Sequence, residues 1–388
     1  MEPKIRFKGF EGEWIETSLS NLSSNFKYGI NAAAVSFDGE NKYLRITDID
    51  DTMHSFLQND VTSPGTDLSC CDEYLMQDGD IVIARTGASV GKSYIYHPFD
   101  GKVYFAGFLI RMRLNENTNR DFVFQNTLTN AYAKHVQFVS QRSGQPGINV
   151  NELQAYKLRI PSLSEQQFIA TYFRTLDNKI QSTSKKLASL KKLKSASLVA
   201  MFPQNGESTP KVRFKGFEGE WKKVKLGNVC SVNRGTRITK KELNTNQSYP
   251  VYQNTNYPLG YYKNYNVEAN NPYVIIGGSA GLIGFSNVPF WAADDCAYFG
   301  DNDSLDKAFL YSTLLSHIAE IKKNVRGSSV PRLDRSTLID LEINLPSFSE
   351  QQAIASFFRS LDRKIALETA RLEKLKQIKR ACLDKMFV

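Results

Sequence analysis

The sequence predicts an α+β protein in which two mixed, β-rich modules are joined by two long helices that pair as a coiled coil. Three observations predict it. Pro161-Ser162-Leu163-Ser164-Glu165-Gln166-Gln167 returns 185 positions later as Pro346-Ser347-Phe348-Ser349-Glu350-Gln351-Gln352. The segments that these elements open, 161–202 and 346–387, match at 22 of 42 positions. PKIRFKGFEGEW from Pro3 to Trp14 returns as PKVRFKGFEGEW from Pro210 to Trp221, with only Ile5 changed to Val212. Two copies of one plan imply internal pseudo-two-fold symmetry.

Each long segment is helical by its apolar spacing. Leu176, Ile180, Leu187, Leu190, Leu193 and Leu198 recur at helical intervals, as do Leu361, Ile365, Leu372, Leu375, Ile378 and Leu383. Such spacing puts one stripe on a helix, and no Pro or Gly interrupts either run. Ser164 and Ser349 fall at the N-cap, with Gln167 and Gln352 at the capping-box spacing. Leu163 and Phe348 are placed to staple onto Phe168 and Ala353. Some 36 residues span roughly 54 Å, too long for a helix without a partner along its length. The economical partner for each stripe is the other, with Leu176, Ile180, Leu187, Leu190, Leu361, Ile365, Leu372 and Leu375 as packing residues. The competing arrangement lays each helix on its own module.

The chain divides into a first module (1–160), the first long helix (161–202), a polar linker (203–209), a second module (210–345) and the second long helix (346–388). The repeat offset is 207 at the front motif and 185 at the helix, so the second variable region is 22 residues shorter. In the first module, Asp80–Arg85 reads as a buried strand entering the glycine loop 86–91. Residues 94–96, 103–105 and 108–114 read as further β pieces, 121–141 as helical and 158–160 as a strand. The second module repeats this grammar. Tyr273–Ile276 enters a glycine loop (277–284), 305–323 is helical, and 341–345 is a strand that feeds the helix. A shared frame with divergent content suggests two modules doing one job on two targets.

Composition narrows the function. The hydrophobic fraction of 41% suits a chain with real cores. No run of 18 apolar residues predicts a membrane span, and Met-Glu-Pro-Lys-Ile-Arg carries no export signal. Five cysteines without Cys-x-x-Cys spacing fit a reducing cytoplasm and argue against a zinc site. A net charge of +9 suits a polyanion such as nucleic acid.

The motifs for catalysis fail on inspection. Thr86-Gly87-Ala88-Ser89-Val90-Gly91-Lys92-Ser93 nearly spells a phosphate-binding loop. It starts on Thr where Gly is needed, and a strand-like run follows where a helix should. Asn270-Asn271-Pro272-Tyr273 is similar to the Asn-Pro-Pro-Tyr element of adenine methyltransferases but lacks its first Pro. His54, His97, His135 and His317 are scattered, and Asp50-Asp51 and Asp294-Asp295 read as turn residues. The chain reads as non-catalytic and without a metal or cofactor of its own.

A nucleic-acid pattern remains. Basic residues sit beside Gly, Ser, Asn and Gln in the expected loops, where glycine lets backbone approach phosphates and Arg, Asn and Gln can read base edges. In the first module the candidate contacts are Lys27, Tyr28, Arg85, Thr86, Ser89, Lys92, Arg142, Ser143 and Gln145. In the second they are Arg234, Arg237, Gln253, Asn254, Ser279, Arg326, Ser328 and Arg332. For any one of them a solvated loop position is an equal reading; across the set the pattern favours DNA.

The paired Ser-Glu-Gln-Gln helix openings after Ile160-Pro161 and Leu345-Pro346 carry a resemblance. So do the paired Arg-Phe-x-Gly-Phe-Glu-Gly-Glu-Trp entries and the strand–glycine turns at 79–92 and 273–284. Over nearly its whole length the chain resembles the specificity subunit of type I restriction–modification systems. The resemblance implies that each module is a target recognition domain reading half of a bipartite site in double-stranded DNA. It implies that the conserved helices pack antiparallel, set the gap between half-sites and dock two methyltransferase subunits, with restriction subunits joining for cleavage. S-adenosylmethionine, ATP and magnesium would belong to those partners. Three other classes compete: an enzyme with an unfamiliar site, a two-headed protein- or glycan-binding adaptor, and an orphan or decoy specificity subunit that binds DNA but recruits nothing.

Overall fold

The computed structural model describes residues 2–204 and 206–388, so Asn205 of the expected linker lies outside the described residues. The chain forms two compact units, Met1–Lys185 with Ala370–Val388, and Lys186–Thr369. The divisions fall at positions 185 and 370, which are equivalent under the helix repeat. Each unit thus holds one module and part of both long helices.

The helices are Leu163–Ala200 (38 residues) and Phe348–Met386 (39 residues), and they pack together. In the first unit Asp177 pairs with Lys379 at 2.6 Å, and the Tyr172 hydroxyl lies 3.3 Å from the Cys382 sulfur. In the second, Lys186 pairs with Glu368 and Lys194 with Asp362, both at 2.5 Å. Rising numbers on one helix meet falling numbers on the other, so the pairing is antiparallel. Asp177 and Lys379 are the repeat equivalents of Asp362 and Lys194, so duplication wrote one ion pair twice. Leu176, Ile180, Leu187, Leu361 and Leu372 are buried, and Leu190, Ile365 and Leu375 are half-buried. Leu193 and Ile378 depart from the expected stripe at 49% and 37% exposure. Each directly precedes a lysine that reaches across to the partner helix, and about 100° per residue turns it away from the seam.

The helix starts also differ from the expected register. Ser162 and Ser347 are the caps: the Glu165 and Glu350 amides donate to their hydroxyls at 3.4 Å. Ser164, Ser349, Gln167 and Gln352 are exposed in the first turn. Leu163 and Phe168, at 46% and 60% exposure, form no buried staple; Phe168 packs edge-on against Phe10. The register is set from outside the helix. The Gln166 side chain donates to the Pro161 carbonyl at 3.0 Å and accepts from the Asn119 amide at 3.0 Å. Gln351 repeats this with Pro346 (3.1 Å) and Asp306 (3.0 Å).

Around the helices the duplicated residues build one frame twice. Arg6 clasps Glu165 through two 2.8 Å bonds, and Arg213 clasps Glu350 through two 2.7 Å bonds. Trp14 and Trp221 are each buried to 3% exposure. Strand Ile15–Ser18 pairs antiparallel with Lys157–Ile160, and Lys222–Lys225 pairs likewise with Glu342–Leu345. Of the other expected strands, 81–84, 93–95 and 109–114 enter the main sheet of the first module and 271–275 that of the second, whereas 103–105 lies outside it and pairs in parallel with 42–44. In the first module the antiparallel order of the main sheet is 23–28, 109–114, 81–84, 93–95; in the second it is 232–234, 296–299, 271–275, 283–286. Alternating strands of β-branched and aromatic residues bury one face against short helices. The expected helical regions each break in two, Arg120–Asn126 with Asn130–Val139 and Lys307–Ser316 with Ile318–Lys323. In the first, Thr129 caps the second piece by accepting from the Tyr132 amide at 3.3 Å.

One glycine in each module marks where a strand end meets a loop. A Cβ on Gly29 would lie 2.3 Å from the Phe105 and Ala106 carbonyl oxygens; on Gly235 it would lie 2.2 Å from those of Ala292 and Ala293. Backbone cannot retreat as a flexible side chain can. Gly235→Ala is therefore expected to destabilise the chain by about 1–3 kcal/mol through overpacking. A thermal unfolding midpoint unchanged from that of the parent chain would refute this.

Candidate nucleic-acid interface

The end of each main sheet gathers part of the candidate set. In the first module Tyr28 stands opposite Ile110 and Ala84 opposite Leu109, so Tyr28 and Arg85 leave their strands at the same edge. The loop 142–147 closes over them. The Gly87 amide donates to the Pro146 carbonyl at 2.9 Å, and the Ile148 amide to the Arg85 carbonyl at 2.8 Å. Gly87, at φ +76°, has no Cβ to obstruct the Gln145 side chain, whose nitrogen would lie 2.9 Å from one. Tyr28, Arg85, Thr86 and Gln145 are thereby brought together. Ser143 is exposed in the same loop, and Ser89 is half-buried in the glycine turn.

The basic members differ in how committed they are. Lys27 pairs with Glu73 and sits 4.7 Å from the centre of the Tyr74 ring. Lys92 is only 12% exposed and donates to the Ile49 carbonyl at 2.8 Å and to Asp51 at 2.7 Å. These lysine hydrogen bonds hold the Glu73 and Asp51 carboxyls below their ordinary range. Arg142 pairs with Glu152 at 2.5 Å and donates to the Val139 carbonyl at 2.7 Å. Arg85 has no carboxylate partner among the described residues. Its guanidinium lies over the Tyr28 ring at 4.5 Å, and the Tyr28 hydroxyl accepts from the Val150 amide at 3.2 Å. Composition did not single out Phe108, whose carbonyl accepts the Arg85 amide at 3.0 Å and whose ring is 62% exposed. An aromatic before an apolar run reads as a strand residue.

The second module reuses the frame with other side chains. The Gly278 amide donates to the Pro331 carbonyl at 3.0 Å, and the Leu333 amide to the Ile276 carbonyl at 2.9 Å. Arg326 and Arg332 exchange backbone hydrogen bonds of 2.9 and 2.8 Å, which fixes the loop between them and leaves Ser328 exposed within it. Arg234, Asn324, Arg326, Arg332 and Arg335 line an open concavity of about 730 Å³. Arg234 donates to the Asp294 carbonyl at 2.6 Å, and Arg332 approaches Asp295 at 3.7 Å. Arg237 is exposed on the loop beyond Arg234. Asn254 joins the glycine turn by accepting the Ser279 amide at 3.0 Å, with Gln253 half-buried beside it. Asn324 and Arg335 were missed by the sequence reading; Arg335 directly follows the helix-capping Asp334, a position that reads as solvated.

By hydrogen-bonding role, Tyr28 corresponds to Arg234, Arg85 to Ile276 and Phe108 to Asp295. One backbone frame therefore presents an aromatic-flanked arginine in one module and an arginine-rich hollow in the other. Both are polar, solvent-facing and basic, which suits an anion with readable edges. Among the described residues no group of three His, Cys, Asp or Glu side chains is placed to hold a metal, and no helix is long and apolar enough to cross a membrane.

The family model described as the type I restriction modification DNA specificity domain matches twice, at residues 22–192 and 218–377. The specificity subunit of the MjaVIII type I restriction enzyme of Methanocaldococcus jannaschii is 20% identical over 340 residues, 80% of this chain and 79% of that protein. A Mycoplasma pneumoniae protein named as a type I specificity subunit is 27% identical over 143 residues, 36% of this chain and 39% of that protein. The crystal structure of the type I restriction–modification S subunit from M. genitalium superposes with a TM-score of 0.77 at 17% identity, covering 100% of this chain and 99% of that one. With two matches that span most of its length, one over each module and the first part of its long helix, the chain belongs to the type I restriction–modification DNA specificity family.

Proposed function

We propose that each module reads one half of a bipartite site in double-stranded DNA, and that the paired helices fix the gap between the halves. On this reading the chain carries two methyltransferase subunits, through which restriction subunits join. Adenine methylation from S-adenosylmethionine and cleavage driven by ATP with magnesium take place on those partners. The observation that carries the reading is one loop frame, held by equivalent backbone hydrogen bonds, that offers different donors in its two copies. Two readers on one spacer gain affinity through effective concentration only where the half-site spacing matches. A second observation supports a partner used twice. Lys4 and Lys8 recur as Lys211 and Lys215, all exposed, although the modules between the repeats have diverged.

The test is methylome sequencing of a host that expresses this chain with a type I methyltransferase subunit, against a host without this chain. A split motif methylated on adenine in both halves at a fixed gap is expected. Co-purification of the two subunits without any new motif would point instead to a decoy, and failure to co-purify would favour the adaptor. Arg326→Ala is expected to relax or weaken recognition in one half-site only, by about 1–3 kcal/mol. Equal loss at both halves would assign Arg326 to folding or docking.

A further inference from the structure

The first module contains four basic candidates, and three of them are already spent on carboxylates: Lys27 on Glu73, Lys92 on Asp51 and Arg142 on Glu152. Arg85 is different in kind. Its backbone is held on both sides, with its amide donating to the Phe108 carbonyl at 3.0 Å and its carbonyl accepting from Ile148 at 2.8 Å. Its guanidinium is stacked at 4.5 Å over Tyr28, and that ring is itself pinned through its hydroxyl to the Val150 amide at 3.2 Å. The Arg85 Nε is buried without a partner, and neither an ion pair nor a side-chain hydrogen bond uses the group among the described residues. The buried Nε is out of a ligand's reach, so the group's unused capacity lies in its terminal N–H groups, which no described side chain engages and which are free to meet an acceptor from outside.

The shape of that acceptor follows from the donor. A stacked guanidinium is a flat fork with two parallel N–H groups in a fixed plane, which loses little freedom on binding. It matches a pair of acceptors in one plane. In the major groove of DNA the guanine edge offers such a pair, O6 and N7, whereas adenine places a donor beside N7. We infer that Arg85, held on Tyr28, reads a guanine in the half-site of the first module. A phosphate would also accept from the fork, but it carries no sequence information, and the two roles separate experimentally. The second module has Ile276 at the equivalent place, so this means of reading guanine is particular to the first half-site.

The inference rests on the DNA-reading function proposed above. The experiment uses the full chain with its methyltransferase subunit and compares the parent with Arg85→Lys, Arg85→Ala and Tyr28→Ala. The methylome of each is read, and binding to duplexes carrying the parent motif is followed against salt. Both Arg85 variants are expected to lose discrimination at one guanine of one half-site by roughly 5- to 150-fold, with the other half unchanged. Lysine keeps the charge but not the fork, so it does not rescue. Tyr28→Ala removes the platform and is expected to relax the same position as Arg85→Ala. The salt dependence of affinity stays as in the parent. Uniform weakening across all sequences, with a salt slope smaller by about 1 and rescue by lysine, would assign Arg85 to a phosphate and overturn the inference. A relaxed position other than guanine would overturn it as well. Absence of any split motif with the parent chain would refute the proposed function itself, and this inference with it.

Discussion

Replacing Arg213 with alanine is expected to cost the chain about 3–5 kcal/mol, because it strands the Glu350 carboxylate in the core. Glu350 is 1% exposed, and its two oxygens take the 2.7 Å bonds from Arg213. The Arg213 guanidinium also donates to the Gly219 carbonyl at 2.6 Å, so it ties the entry segment to the start of the helix. The hydrogen bond to Glu350 raises the Arg213 pKa above its ordinary value, as Glu165 does for Arg6, so both arginines stay protonated. The size of the loss comes from removing one partner only. Desolvation of two ions nearly cancels their attraction, so the double change Arg213→Met with Glu350→Leu is expected to lie close to the parent. Urea unfolding of the three chains tests this. A loss below about 1 kcal/mol for Arg213→Ala would mean that water reaches Glu350 and screens it as at a surface. Arg6→Ala acts in the same direction on Glu165 in the first unit.

That pair also marks the limit of what the sequence discloses. Long helices, the duplication and the strands that end in glycine turns were legible, because apolar period and turn chemistry are local signals. The cap was misplaced by two residues because Ser162, Ser164 and Glu165 offer overlapping capping boxes. The choice between them is made from outside the helix, by Arg6, 159 positions from Glu165 in sequence, together with the Asn119 amide, from which the Gln166 side chain accepts. Likewise the loop composition pointed to basic residues near glycines, but not to the long-range carboxylates that claim Lys27 and Lys92. Lys92 finds Asp51 from 41 positions away. Leu193 and Ile378 fit the stripe by spacing, yet the neighbouring lysines decide which side of the helix meets its partner. Where a side chain answers to its own turn the reading held; where it answers to a distant charge, only the fold could decide.

The same duplicated charges make the spacing proposal testable. Asp177 and Lys194 are 17 residues apart on the first helix, and Asp362 and Lys379 are 17 residues apart on the second. Both cross-helix pairs therefore form with matched lengths of helix between them. Four residues inserted after Lys185 alone break that match, so one pair or the other must be lost and helix pairing weakened. Inserting four after Lys185 and four after Ala370 restores it and lengthens each helix by about one turn, roughly 6 Å. That is close to two base-pair steps of about 3.4 Å. The doubly inserted chain is expected to lose roughly 10²–10⁴-fold in affinity for the parent site, since both modules can no longer engage together. It should regain that affinity on a site whose gap differs by about two base pairs, with both half-sites unaltered. Methylome sequencing reads the gap directly. An unchanged gap in the doubly inserted chain would show that the helices do not set the spacing, and would leave them as a docking surface alone.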